Sequence, residues 1–200
     1  MIASNLLSVA TDTAHLPIFP RPLKIVHEKL IPEGKEKITL RHQKKAFIGC
    51  FSLRLKKDIN WELFKKWKEN RSPSITHQIA EDFLPFIRNY YDRITTAPPS
   101  AGRNPSFYCT YDLGRVISRW TGIPFVPAFE QQQDKFYHGR FASLVQTRPK
   151  FLRFWKTRKS SILFIDDCIT SGTTARLCYE ALVSLKNHVD GLIWLLCENK

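Results

Sequence analysis

Residues 162–182 read ILFIDDCITSGTTARLCYEAL, and the order of residue types in them decides the fold. Four apolar residues run into two adjacent aspartates, Asp166 and Asp167, and then into small hydroxylated residues around Gly172. Beyond them Ala175, Cys178, Leu182 and Leu185 recur at helical spacing. A short apolar run bounded by turn signals is a buried strand, and an apolar period of 3.6 after it is a helix. The stretch therefore predicts strand, loop and helix, with two carboxylates carried to the carboxyl end of the strand, where open α/β sheets bind ligands.

Outward from this unit the same alternation continues. Residues 92–97 predict a strand, 98–106 a loop, 107–120 a helix, 122–126 a second strand, 162–165 a third, 173–186 a helix and 192–197 a fourth strand. Strands alternating with helices imply an α/β fold, a doubly wound and mainly parallel sheet with flanking helices. Upstream, Asn60 is positioned to cap a helix to residue 70. Ser74 is positioned to cap a longer one, whose stripe of Ile75, Ile79, Phe83, Ile87 and Tyr90 or Tyr91 is kinked by Pro85. Residues 37–40 and 46–55 look like a small hairpin or sheet, and Pro17, Pro20 and Pro22 make residues 1–22 an irregular arm. The expected organisation is an N-terminal arm and hood over residues 1–91 and an α/β core over 92–200, in one compact unit.

Composition narrows the class. At 200 residues with 43% apolar and 24% charged content, the chain suits one soluble globular domain and argues against a disordered or collagen-like one. With no long apolar run and no basic leader ahead of Asp12, a cytosolic address is expected. Five scattered cysteines without a CxxC pair predict reduced, packed thiols and no structural zinc. The formal charge of +13 predicts a field that draws anions, whether a phosphorylated small molecule, an acidic protein or nucleic acid.

The central stretch has a specific chemistry. Residues 170–174 open a helix whose unpaired N–H groups and positive dipole end favour a phosphate. Gly172 lets the backbone curl towards the anion, and the hydroxyls of Thr170, Ser171, Thr173 and Thr174 add donors. Two carboxylates would repel that phosphate unless they address another part of the same ligand. A ribose diol fits, since each carboxylate accepts hydrogen bonds from hydroxyls and both can help to hold Mg²⁺ through water or ribose oxygens.

On these residues, ILFIDDCITSGTTA closely resembles the phosphoribosyl diphosphate (PRPP) motif of the type I phosphoribosyltransferases. Phe164 and Cys168 stand where that motif more usually has smaller or branched aliphatic residues, and Cys168 would make an activity thiol-sensitive. The resemblance implies that Asp166 and Asp167 contact the ribose hydroxyls with Mg²⁺ held indirectly, and that Thr170, Ser171, Gly172, Thr173 and Thr174 hold the 5-phosphate. It also implies that the loop TAPPSAGRNPSF supplies a pyrophosphate site from Pro99, Ser100, Ala101, Gly102 and Arg103. The polar stretch EQQQDKFYHGRFASLVQ lies where the family carries a mobile loop, and there Lys135, His138 and Arg140 are candidates to neutralise the leaving pyrophosphate. A hood built before the first core strand resembles the ComF group of predicted phosphoribosyltransferases, although the N-terminal zinc-binding cysteines common in that group are absent from this sequence. The implied reaction is transfer of phosphoribosyl from PRPP to a nitrogen acceptor, in a homo-oligomer or a subunit of a complex.

Two features admit two readings each. Phe47, Phe51, Trp61, Phe64 and Trp67 either stack on an acceptor ring or fill a core. The stretch RPKFLRFWKTRK places Arg148, Lys150, Arg153, Lys156, Arg158 and Lys159 among Phe151, Phe154 and Trp155. Such a stretch either grips nucleic-acid phosphates while stacking on bases or is a solvated basic face whose aromatics join the core. The second function class is accordingly a non-catalytic PRPP- or nucleotide-sensing or nucleic-acid-binding accessory protein, a candidate for a bacterial defence or mobile-element system.

Overall fold

The computed structural model describes residues 38, 40–44, 46–56, 58–88, 90–99, 108–131, 149–153 and 155–197. Its strands are β1 (Arg41–His42), β2 (Cys50–Leu55), β3 (Arg93–Thr96), β4 (Ser161–Ile169) and β5 (His188–Leu196). They form one sheet in the order β1-β2-β5-β4-β3. Only the short edge pairing of β1 with β2 is antiparallel; β2, β5, β4 and β3 run parallel. The expected α/β, mainly parallel sheet with flanking helices is what forms.

The helices are α1 (Asp58–Asn70), α2 (Pro73–Phe83), α3 (Cys109–Thr121) and α4 (Thr173–Ser184). Side chains alternate across a strand, so β4 serves both faces. Leu163 and Ile165 pack with Trp67, Phe83 and Leu113 of α1, α2 and α3. Ile162 and Phe164 pack with Ala175, Cys178 and Leu182 of α4. Cover on both faces is why β4 begins as an unbroken apolar run. Among the described residues no helix is long and apolar enough to cross a membrane.

Several expected elements differ, each for a physical reason. Residues 46–55 supply β2, which makes a short antiparallel pair with β1 and is also built into the main sheet, lying parallel to β5 from Cys50 opposite Gly191 to Leu55 opposite Leu196. Asn60 does not cap α1, which starts at Asp58; its amide donates to the Leu55 carbonyl at 3.0 Å and ties the helix back to β2. The N-cap of α2 is Ser72, not Ser74, with Pro73 in the first turn. Pro85 ends that helix rather than kinking it: α2 stops at Phe83 and a 3₁₀ turn, Leu84–Phe86, follows, because proline lacks the N–H a longer helix requires. The strand expected over 122–126 is a single bridge, Phe125 to Ile94. Conversely β4 and β5 extend beyond their apolar runs, from Ser161 opposite His188 to Ile169 opposite Leu196, since ladder hydrogen bonds do not require apolar side chains.

One buried ion pair locks β2 into this frame. Arg54 donates to both oxygens of Asp82, at 2.6 and 2.8 Å, and Trp194 Nε1 donates to the same carboxylate at 2.9 Å. Strand β2, helix α2 and strand β5 are joined at one point, inside the core formed by residues on both sides of position 92.

Candidate functional site

Because β4 continues to Ile169, both aspartates lie within a strand, and strand alternation sends their side chains to opposite faces. Asp167 turns towards α1 and α3. Its Oδ2 accepts from Lys68 Nζ, and from Thr110 Oγ1 at 3.0 Å. The Lys68 ammonium also lies 5.4, 5.2 and 5.4 Å from the ring centres of Phe64, Trp67 and Tyr108, an aromatic setting that favours a cation.

Asp166 faces the loop that follows β4. Its Oδ1 accepts the Asp167 N–H at 2.9 Å. It is only 8% exposed, and burial pushes its pKa up to about 7, against the smaller opposing pull of Lys68. The two carboxylates thus differ in kind: Asp167 is held by a cation, whereas Asp166 is a buried acid poised near neutrality.

After Ile169 the chain turns through Thr170 and Ser171 to Gly172, which caps α4 with φ +78°. Glycine is required there twice over. That φ disfavours other residues, and a Cβ would lie 3.1–3.3 Å from Ala46 N, Cα and Cβ. Gly172 itself supplies no side-chain cap to α4, and Ser171 Oγ accepts the Thr173 N–H at 3.4 Å, so the other donors of the first turn are left for a ligand or solvent. Ser171 Oγ and Thr173 Oγ1 are 3.0 Å apart, and Thr170, Ser171 and Thr174 are exposed. A cavity of about 60 Å³ is lined by Asp166, Cys168, Ile169 and residues 170–175. Its volume suits a single oxyanion and is far below the roughly 300 Å³ at which ligand pockets begin.

This arrangement brings together Asp166, Thr170, Ser171, Gly172, Thr173 and Thr174. Asp167 is adjacent in sequence but sits on the other face. Pro99 is buried beyond the end of β3; Ser100, Ala101, Gly102, Arg103, Lys135, His138, Arg140 and Arg148 lie outside the described residues. The two ends of the long polar stretch meet in an antiparallel pair. Phe129 bridges Phe151, Glu130 N donates to Lys150 O at 2.8 Å, and Leu152 N donates to Ala128 O at 2.9 Å.

Of the aromatics of the basic stretch, Phe151 and Trp155 turn inward, and Phe154 lies outside the described residues. Phe151 stacks between Phe129 and Trp155, and Trp155 is buried, whereas Lys150, Arg153, Lys156, Arg158 and Lys159 are exposed. Of the upstream aromatics, Phe47, Phe64 and Trp67 are buried in the core, while Phe51 and Trp61 are half-buried. Lys68, Thr110 and Ala46 are the site residues that sequence reasoning missed. Lys68 does lie one turn after Phe64 on α1, but no local signal points it at a residue 99 positions away.

As to a metal, the described residues contain no group of three His, Cys, Asp or Glu side chains able to hold an ion. The Asp167 oxygen facing Lys68 and Thr110 is already engaged. Asp166, an oxygen donor beside the cavity, is of the type Mg²⁺ accepts through water or a ligand's oxygens. The donor set therefore fits an ion brought in with a phosphorylated ligand and does not fit a protein-only cage.

No protein-family model matches the sequence, and no curated protein matches it. Among solved structures, the chain is similar to adenine phosphoribosyltransferase from Leishmania tarentolae, with 16% identity, 79% of this chain and 94% of that chain covered, and a TM-score of 0.47. It is similar to the adenine enzyme from Trypanosoma brucei, solved with AMP, pyrophosphate and ribose-5-phosphate, with 14% identity, 80% and 87% covered, and a TM-score of 0.45. The hypoxanthine-guanine enzyme of L. donovani matches with 16% identity over 67% of each chain, at a TM-score of 0.34. At these identities and scores, the roles of residues in this chain rest on the chain's own geometry.

Proposed function

We propose that this protein binds PRPP and transfers its phosphoribosyl group to a nitrogen acceptor, releasing pyrophosphate. The observation that carries the reading is the helix start behind Gly172, whose donors other than the Thr173 N–H have no side-chain cap and which opens onto a cavity sized for one oxyanion directly beside buried Asp166. Backbone donors of residues 172–175 and the hydroxyls of Thr170, Ser171, Thr173 and Thr174 would hold the 5-phosphate. Asp166 would accept from the ribose hydroxyls. Asp167, held by Lys68 and Thr110, would act as the fixed negative neighbour beside which Asp166 keeps its orientation.

In the reaction the bond from C1 to the pyrophosphate oxygen breaks, the electron pair leaving with pyrophosphate, and a bond from C1 to the acceptor nitrogen forms. Such a displacement passes through positive charge at the ribose, so the protein contributes positioning and fixed charge more than covalent chemistry. Mg²⁺ would supply charge neutralisation on the diphosphate when it arrives with the ligand. Pro99, Ser100, Ala101, Gly102 and Arg103, together with Lys135 and His138, are the proposed pyrophosphate-side groups.

Calorimetric titration of PRPP with Mg²⁺ into the protein tests this. Binding is expected for the wild type, with at least a tenfold loss in Gly172→Ala and in Asp166→Asn. Ribose 5-phosphate should bind more weakly and respond to Gly172→Ala in the same way, because it meets the same loop. Absence of PRPP binding by the folded wild-type protein would overturn the reading.

A further inference from the structure

At the amino end of the strands, away from the phosphate loop, two backbone stretches are bolted together by one buried side chain. Asn187, 6% exposed, donates through Nδ2 to the carbonyls of Thr157 and Leu182 at 3.3 and 3.0 Å, and accepts the Ser160 N–H at 3.1 Å. Lys159 N donates to Leu185 O, and His188 N donates to Ser160 O. The strap before β4 is thereby fixed against the turn between α4 and β5.

What this frame displays is positive. Lys156, Arg158, Lys159 and Lys186 are exposed, and none has an ion-pair partner among the described residues. Against these four cations stand two nearby carboxylates, Asp92, which accepts the Ser161 N–H, and Asp190, which accepts the hydroxyls of Tyr90 and Tyr91 and lies 3.4 Å from His188 Nε2. Lys159 and Lys186 both adopt positive φ, +53° and +61°, positions where glycine or asparagine would cost less. The dipole of α4 favours a cation at its carboxyl end and so accounts for Lys186; it does not account for Lys156 or Arg158.

We infer that this face is a second binding surface, for the phosphate backbone of nucleic acid. Repeated negative charge matches several unpaired cations on a rigid frame. With Trp155 buried and Phe151 stacked between Phe129 and Trp155, recognition runs through phosphates and without stacking of bases on these rings, so it is insensitive to sequence. The surface lies at Ser161 and His188, where β4 and β5 begin. The phosphate loop follows Ile169, about 26 Å away along the strand. The two sites are therefore compatible with simultaneous occupancy, and this inference is independent of the proposed reaction.

The test is fluorescence anisotropy of a short labelled DNA duplex against salt concentration. Contact by four cations gives a slope of log K against log salt of about −3.6, a loss of roughly 150-fold between 50 and 200 mM. The triple variant Lys156→Gln, Arg158→Gln, Lys159→Gln should retain a slope of about −0.9, and lose only roughly 3.5-fold over that range. A control of equal charge, Lys66→Gln, Arg88→Gln, Arg119→Gln, should keep the wild-type slope, and saturating PRPP should leave the duplex bound. The inference fails if the control matches the patch variant, if PRPP displaces the duplex, or if the wild type binds polyglutamate but not DNA.

Discussion

Replacing Asp166 by asparagine should make the unliganded protein more stable, by an amount that grows with pH. Burial raises this carboxyl from the ordinary 3.8 to about 7. Between those values the native protein keeps a proton that the unfolded chain has released, so stability falls as pH rises through this window, by about 1.4 kcal/mol per pH unit. From 3.8 to about 7 the total is roughly 4 kcal/mol. Above the folded value the loss is complete and the curve is flat. Asparagine keeps an oxygen for the Asp167 N–H and carries no charge, so the variant lacks this slope. Near pH 4 the two proteins should unfold at similar urea concentrations, and at pH 8 the variant should be ahead by roughly 4 kcal/mol, on the order of 10 °C in Tm. Asp167→Asn should do the reverse, since it removes the ionic partner of half-buried Lys68 and costs about 1–3 kcal/mol. Urea titrations followed by tryptophan fluorescence across that pH range measure both. An Asp166→Asn protein no more stable than wild type at pH 8, or one whose gain is independent of pH, would refute the reasoning. Stability gained where ligand binding is lost is the signature expected of a carboxyl kept for function.

Two further outcomes follow from the same geometry. Asp82→Ala removes two hydrogen bonds from buried Arg54 and one from Trp194, and should cost about 3–5 kcal/mol in urea unfolding; a loss below about 1 kcal/mol would show that the pair does not hold β2 in place. Cys197 has a pKa lowered to about 7, chiefly by a hydrogen bond with Cys168. In Cys168→Ala its thiolate absorbance should therefore appear at higher pH than in wild type, and an unchanged titration would show that the two thiols do not interact.

Residues 162–184 were legible in the sequence because their signals are local. An apolar run, a glycine at the helix start and a 3.6-residue period each act within a few positions, and the loop at Gly172 and the helix α4 from Thr173 form where that pattern puts them. The extent of β4 was not legible. Asp166, Asp167 and Cys168 carry no apolar signal, and only the ladder to Ile193 and Leu195 of β5 makes them strand. That extension separates the two carboxylates onto opposite faces, a division invisible in the dipeptide itself. The place of β2 beside β5 was equally hidden, since Cys50 and Gly191 meet only after the chain between them has folded, and nothing in a local window encodes which strand a buried edge will choose. Lys68 belongs to the same class: its helix is readable from Trp61, Phe64 and Trp67, but its partner Asp167 is brought to it by the packing of α1 and α3 on the sheet. Local sequence sets the turn at Gly172 and the start of α4, because backbone conformation and helix termini are local properties. Tertiary structure decided the electrostatic states of Asp166 and Asp167, because burial and the distance to a cation are set by residues far apart in the chain.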